Sequence, residues 1–141
     1  MLHEWFKKHP DAKLLTDKIQ SPKAVDSVFK STHQLMIKLH SFHKIKIAKS
    51  LDMEVVLAQN LLDKTGVKTI AMLKELDIEH ILISRKFIKP NESLLLELKA
   101  AGIKTYASHV NFEPGKDELY VFENEMKFIY GFYADVWDFK N

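Results

Sequence analysis

Short apolar runs alternate along this chain with longer segments in which apolar residues recur every three or four positions. The short runs have the length and near-continuous hydrophobicity of strands that are covered on both faces, and the longer segments have the spacing of amphipathic helices. This alternation predicts parallel βαβ units with right-handed crossovers. The predicted strands are Leu14–Ile19, Leu35–His40, Glu54–Gln59, His80–Arg85, Ile103–Val110 and Phe128–Val136.

The segments between these runs are predicted to be helices. Gly102 follows one apolar stripe and favours a helix end, because glycine readily adopts the left-handed conformation that closes many helices. Ser41 and Asn91 each precede a stripe and are candidate N-caps. The opening helix is expected to end before Pro10. The predicted helices cover residues 2–9, 21–30, 42–51, 67–76, 91–101 and 115–126.

Length and composition are those of an ordinary globular protein. The chain has 141 residues, enough for one domain with a core, so we predict a single domain over residues 1–141. The net charge is +2 with the lysines spread along the chain, which predicts no nucleic-acid partner. The absence of cysteine excludes disulfides and thiolate metal sites. No apolar run reaches the ~20 residues that span a bilayer. Because residues 1–10 also lack the pattern of a signal peptide, we expect a cytoplasmic protein without a membrane span.

Six βα units in this order are two short of a (β/α)8 barrel. We therefore predict an α/β fold of the TIM type, a partial barrel of six parallel strands alternating with helices. Six units cannot close an eight-stranded barrel, so the first and last strands would present open sheet edges that invite pairing. Three arrangements would resolve this. The chain is a fragment of a longer protein, it associates with itself or with a partner chain, or it has relaxed into an open sheet.

Four stretches resemble glycerophosphodiester phosphodiesterases, barrel enzymes of the phospholipase C-like phosphodiesterase superfamily. The family's last two strands are similar to "AGIKTYASHVN" (residues 101–111) and "IYGFYADVW" (residues 129–137). Its third and fourth strands, with the helix that leads into the third, are similar to "LHEWFKKHPDAKLLTDKI" (residues 2–19) and "MIKLHSF" (residues 36–42). The resemblance implies the C-terminal part of such a barrel, strands three to eight, with the first two βα units absent. It also implies a metal-dependent phosphoric diester hydrolase of lipid metabolism, which cleaves a glycerophosphodiester to glycerol 3-phosphate and an alcohol.

The family's main catalytic groups precede the part that this chain resembles. Its His-Arg-Gly, its paired acidic metal ligands and its second catalytic histidine all lie on or near the first two strands. We therefore expect the chain to be inactive on its own, because catalytic groups that act as a unit fail together. Two positions also depart from the family pattern. The family's third strand has a metal-binding Glu two residues before a Lys, whereas here Lys18 directly follows Asp17. The family's Trp or His of strand seven falls at Ser108, one position before His109.

The resemblance implies four site residues near strand ends. Asp17 would be a ligand of a divalent cation, Ca²⁺ or Mg²⁺. Lys38 and His40 share one face of their predicted strand and would contact the phosphate of the glycerophosphodiester substrate. His109 would be the catalytic residue near the substrate. Each has a plainer interpretation: Asp17 can cap a loop, Lys38 and His40 can be a surface pair, and His109 can be a histidine at a solvated strand end.

Other polar residues near the predicted strand ends are weaker candidates. Arg85 and Lys86 can bind phosphate, although such residues more often line a loop. A metal-binding pair of His40 and His43 has no support, because no HExxH spacing accompanies them, and as a pair they are interpreted as structural or exposed histidines. The remaining polar residues at these ends are Lys18, Gln59, Asn60, Ser84, Asn111 and Asp135.

Two further interpretations belong to other classes of protein. The chain can be a non-catalytic half-barrel, an interaction or scaffold module whose open edges recruit a partner. It can also be an unrelated α/β domain of the flavodoxin type, although it lacks the glycine-rich first βα turn of the phosphate-binding versions. The sequence has no GxGxxG, Walker A or GxSxG motif, so nucleotide binding and serine hydrolysis have no support.

Overall fold

The structure, a computed structural model, describes residues 2–29, 33–63 and 68–134. The chain divides into two compact units, residues 1–57 and residues 58–141, and each is described by itself. The boundary falls at the end of the third strand. The single domain predicted over residues 1–141 stays a prediction.

The first unit alternates three helices with three strands. Its helices are α1 (Leu2–Lys8), α2 (Pro22–Val28) and α3 (Phe42–Ser50), and its strands are β1 (Leu14–Thr16), β2 (Leu35–Leu39) and β3 (Glu54–Ala58). β1 pairs in parallel with β2, Leu14 opposite Leu35, and β2 pairs in parallel with β3, Met36 opposite Glu54. Ile37, Leu39 and Ile45 are fully buried and form part of the core.

The second unit continues the same alternation. Its helices are α4 (Gln59–Leu62), α5 (Thr69–Glu75), α6 (Glu92–Ala100) and α7 (Glu118–Asn124), and its strands are β4 (His80–Ser84), β5 (Lys104–Ser108) and β6 (Gly131–Phe132). Among its described residues, short 3-10 turns lie at Arg85–Phe87, Lys89–Asn91 and Val110–Phe112. β4 pairs in parallel with β5, His80 opposite Lys104, and β5 pairs in parallel with β6, Tyr106 opposite Gly131.

The predicted fold class is confirmed. Six parallel strands alternate with helices, and within each unit every strand pairs with the next strand along the chain, as in a partial TIM-type (β/α) barrel. No helix within the described residues is long and apolar enough to cross a membrane.

Three helices end in the same way before a strand. Asp52, Asp77 and Gly102 each follow a helix with a positive φ of 56°, 52° and 81°. After α6, the Gly102 amide donates to the Lys99 carbonyl and the Ile103 amide donates to the Leu98 carbonyl. This is the Schellman pattern, which satisfies the last carbonyls of a helix and turns the chain into the strand. The prediction that Gly102 ends a helix is confirmed.

Several predicted boundaries are wrong in informative ways. β1 ends at Thr16 rather than Ile19, so Asp17 lies outside the strand. β5 ends at Ser108, because His109 has a φ of 55° and cannot continue an extended strand. Ser41 precedes α3 and Asn91 precedes α6, as predicted, but neither side chain makes a capping hydrogen bond. The last predicted strand is reduced to β6, and its final residues, 135 and 136, lie outside the described residues.

Candidate functional site

The carboxyl end of β5 opens into a pocket of about 420 Å³ in the second unit. Ser108 is the last residue of the strand and its hydroxyl donates to the Ile83 carbonyl of β4 (3.2 Å). His109 follows in the left-handed conformation and its side chain is exposed. The turn Val110–Phe112 then returns the chain toward α7. The pocket is lined by Ser108, His109, Val110, Asn111, Phe112 and Tyr133.

One side-chain hydrogen bond ties the turn after His109 to the start of α7. The Asn111 amide donates from Nδ2 to Oε1 of Glu118 (2.7 Å), and Glu118 is 93% buried, with 7% of its surface exposed. The N-terminus of α7 is closed by Asp117, whose Oδ1 accepts from the Tyr120 amide (3.2 Å). These hydrogen bonds fix the backbone of the turn, and so they also fix the position from which the His109 side chain projects.

The Arg85 side chain fixes the same loop, residues 110–116, through hydrogen bonds. It follows β4 directly and only 3% of it is exposed. Its Nη1 donates to the carbonyls of Val110 and Lys116, both at 2.8 Å. Its Nε and Nη2 donate to the two carboxylate oxygens of Glu125, at 2.8 and 2.9 Å. The guanidinium is thus shared between a bidentate carboxylate and two backbone carbonyls at the ends of one loop.

The environment of Arg85 favours its charged form. Hydrogen bonding to the Glu125 carboxylate raises the pKa of Arg85 above its usual value, against the opposing effect of burial. Because its donors are used within the protein, Arg85 is a structural anchor rather than a phosphate ligand. The interpretation that it lines a loop is the one that these contacts favour.

In the first unit the predicted site residues lie around the ends of β1 and β2. The Gln20 amide donates from Nε2 to the carbonyls of Asp17 (3.0 Å) and Lys38 (2.8 Å), which ties the two strand ends together. Asp17 is exposed, Lys38 is half-buried and His40 is exposed directly after β2. The structure therefore brings Asp17 and Lys38 to one strand-end region through a residue, Gln20, that the sequence did not single out.

The donors around Asp17 do not make a divalent-cation site. Among residues 2–29, 33–63 and 68–134, no three His, Asp or Glu side chains are grouped so that they could hold a metal ion. Ca²⁺ and Mg²⁺ require several oxygen ligands, and Asp17 supplies one carboxylate beside Lys18. Asp17 and Lys18 both follow the end of β1, so the alternation of side chains along a strand does not place them on opposite faces. The role of Asp17 as a metal ligand stays a prediction that needs carboxylates from outside the described chain.

The remaining strand-end candidates have varied roles. Gln59 follows β3, and its Oε1 accepts from the Ser84 amide (2.8 Å), so it closes the end of β4. Asp135 lies outside the described residues. Asp17, Lys38 and His40 lie in the first unit, and His109 lies in the second.

Comparison of the chain with protein-family models, with curated proteins and with solved structures gave no match.

Proposed function

We propose that this chain is the C-terminal part of a glycerophosphodiester phosphodiesterase-like, metal-dependent phosphoric diester hydrolase. The observation that carries the proposal is the pocket at the carboxyl end of β5, lined by Ser108, His109 and Asn111. Barrel enzymes bind their substrates at the carboxyl ends of the strands, on the loops that follow them. The sequence resemblance supports the same position, because it aligns this stretch with the family's seventh strand.

In this proposal the chain supplies the substrate-binding side of the active site. His109 donates a hydrogen bond to a phosphoryl oxygen of the glycerophosphodiester, and the hydroxyl of Ser108 and the amide of Asn111 are close by on the same turn. For the first unit, phosphate contacts by Lys38 and His40 stay a prediction from the resemblance. Cleavage also requires the metal-binding carboxylates and the paired histidines that the family carries on its first two strands. Alone, the chain is expected to bind the substrate without turning it over.

The proposal is tested by calorimetric titration of the chain with glycerophosphocholine and with glycerol 3-phosphate. His109→Asn is the sharpest variant, because asparagine tolerates the left-handed backbone of this position while removing the imidazole. We expect His109→Asn to weaken binding by about tenfold or more, the loss of one hydrogen bond to a charged group. His43→Asn, an exposed histidine on α3, is the matched control and should bind as the unmodified chain does. Equal affinities for all three chains would contradict the proposal.

The alternative function is a non-catalytic half-barrel that acts as an interaction or scaffold module. It is favoured by the hydrogen bonding of β1, the first strand in the order of the sheet. Within the first unit, β1 has β2 as its hydrogen-bonded neighbour, and the Leu14 amide donates to the Gln34 carbonyl. Because amides alternate in direction along a strand, the Leu15 amide points away from β2 and is the donor that an added strand would use.

Sedimentation velocity over a range of chain concentrations tests the alternative. A scaffold that associates through β1 should form larger species as concentration rises, and Leu15→Pro should abolish them by removing the outward amide. Circular dichroism verifies that the variant remains folded. A sedimentation coefficient that does not change with concentration would count against self-association.

A further inference from the structure

We propose a second ligand site in this chain, a basic and aromatic pocket that takes a small molecule with a phosphate group attached to a planar ring. The pocket has a volume of about 530 Å³ and lies between the turns that follow β4 and the helix α7. It goes beyond the proposed function, because its charged residues are distinct from those of the strand-end pocket. Phe112 is the residue common to the two linings.

The floor of this pocket is built from the buried Arg85. The Phe112 ring centre lies 5.1 Å from the guanidinium carbon and the Tyr120 ring centre lies 5.4 Å from it. Four hydrogen bonds already occupy Arg85, so it holds the wall rigid and is not the anion ligand. Phe112 is 38% exposed, so part of its ring remains accessible to a planar ligand beside the two cations that lie over it.

The charge around the pocket is unevenly balanced. Its lining has five cationic and three carboxylate side chains. Two of the cations are paired, Arg85 with Glu125 (2.8 Å) and Lys116 with Glu113 (3.2 Å). Lys86, Lys89 and Lys127 make no ion pair with any carboxylate of the described chain, and all three are exposed at the rim. Glu92, the third carboxylate of the lining, is exposed as well, so the three lysines and Glu92 together leave an excess of two positive charges that is available to a ligand.

The chemistry of the rim favours phosphate over carboxylate. Lysine binds phosphate as a compact point charge, and several ammonium groups around one pocket match a dianion better than a monoanion. Lys86 Nζ lies 5.0 Å from the Phe112 ring centre, so one charged group stands directly beside the aromatic face. A phosphate at the rim with a planar ring against Phe112 satisfies both features. The volume of the pocket is also within the ~300–1,000 Å³ range of small-molecule sites.

The test is a nuclear magnetic resonance titration of the ¹⁵N-labelled full chain with phenyl phosphate. We expect amide shifts at residues 85–89 and at Phe112, Glu113, Gly115 and Lys116. Lys86→Gln combined with Lys127→Gln should weaken binding by about tenfold. The matched control, Lys68→Gln with Lys74→Gln, removes the same charge from exposed lysines elsewhere in the second unit and should not change the affinity. Equal weakening by both pairs would reduce the effect to net charge and overturn the proposal.

Two further ligands separate the parts of the proposal. Benzoate keeps the ring and inorganic phosphate keeps the anion, and each is expected to bind at least about tenfold more weakly than phenyl phosphate. Inorganic phosphate that binds as tightly as phenyl phosphate would overturn the role of the ring, and equally tight benzoate would overturn the preference for phosphate. His109→Asn should leave the phenyl phosphate titration of the amides of residues 85–89 unchanged, because none of these residues lines the strand-end pocket, so failure of this site is distinguishable from failure of the strand-end pocket.

Discussion

The buried ion pair between Arg85 and Glu125 should dominate the stability of the loop that carries His109. Glu125→Gln keeps the shape of the side chain but removes its charge, and it leaves the Arg85 guanidinium, 98% buried as a side chain, with the more distant Glu113 (3.9 Å) as its remaining carboxylate. Because Glu113 is 44% exposed and compensates the buried charge only weakly, breaking the buried pair should cost about 3–5 kcal/mol of unfolding free energy. Urea denaturation followed by far-ultraviolet circular dichroism measures the loss.

Glu54→Gln provides a matched control, because Glu54 accepts from Lys13 at a similarly short distance. The two side chains of that pair are 48% and 26% exposed, against 2% and 18% for Arg85 and Glu125. An exposed pair contributes less than about 1 kcal/mol, so the two variants should differ by at least about 2 kcal/mol. Equal losses would refute the reasoning that burial, rather than distance, sets the contribution of the pair.

The Arg85–Glu125 pair should contribute the same amount to the free energy of unfolding at neutral and at moderately alkaline pH. The pKa of Arg85 is raised in the folded chain, so its contribution is fully present below the usual pKa of arginine and is lost only as pH rises through the higher folded value. The difference in unfolding free energy between the unmodified chain and Glu125→Gln should therefore stay constant from about pH 7 to about pH 10. A difference that shrinks over this range would show that another group carries the effect.

Further predictions concern the helix ends and the reaction. Gly102→Ala should cost about 1 kcal/mol in thermal or urea denaturation through backbone strain alone, because nothing lies within 4 Å of the added Cβ; no loss would contradict the left-handed conformation. Asp117→Ala should cost about 1 kcal/mol through loss of the cap on α7, and its absence would count against the bond to the Tyr120 amide. The purified chain should not hydrolyse glycerophosphocholine with Ca²⁺, with Mg²⁺ or with EDTA. Turnover that depends on metal and is lost in Asp17→Ala would mean that a second copy supplies the missing groups.

The order of strands and helices could be predicted because burial imposes a periodicity on the sequence. The apolar runs of β2, β3 and β4 are nearly continuous, and these strands are almost fully buried. Strand ends were less predictable, because they depend on single backbone angles. His109 lies within a continuous strand pattern that was predicted to end at Val110, yet its φ of 55° ends β5 at Ser108.

The contacts that build the site are non-local and left no pattern in the sequence. Arg85 contacts groups 25 to 40 positions away, and Gln20 reaches the Lys38 carbonyl 18 positions away. A basic residue after a strand predicts either a phosphate ligand or a loop anchor, and only the positions of Glu125 and the two carbonyls decide between them. The position of His109 at a strand end could be read from the sequence, whereas the rigidity of its loop could not.

The most direct measurement is the response of the His109 imidazole to glycerophosphocholine, followed by nuclear magnetic resonance of the labelled chain. We expect the His109 ring signals and the amide signals of residues 108–111 to shift together in a saturable manner, while the ring signals of His43 on α3 do not shift. Saturable binding that leaves the signals of His109 and residues 108–111 unchanged, or no binding at all, would contradict the assignment of the β5 pocket as the substrate-binding side of a phosphodiesterase.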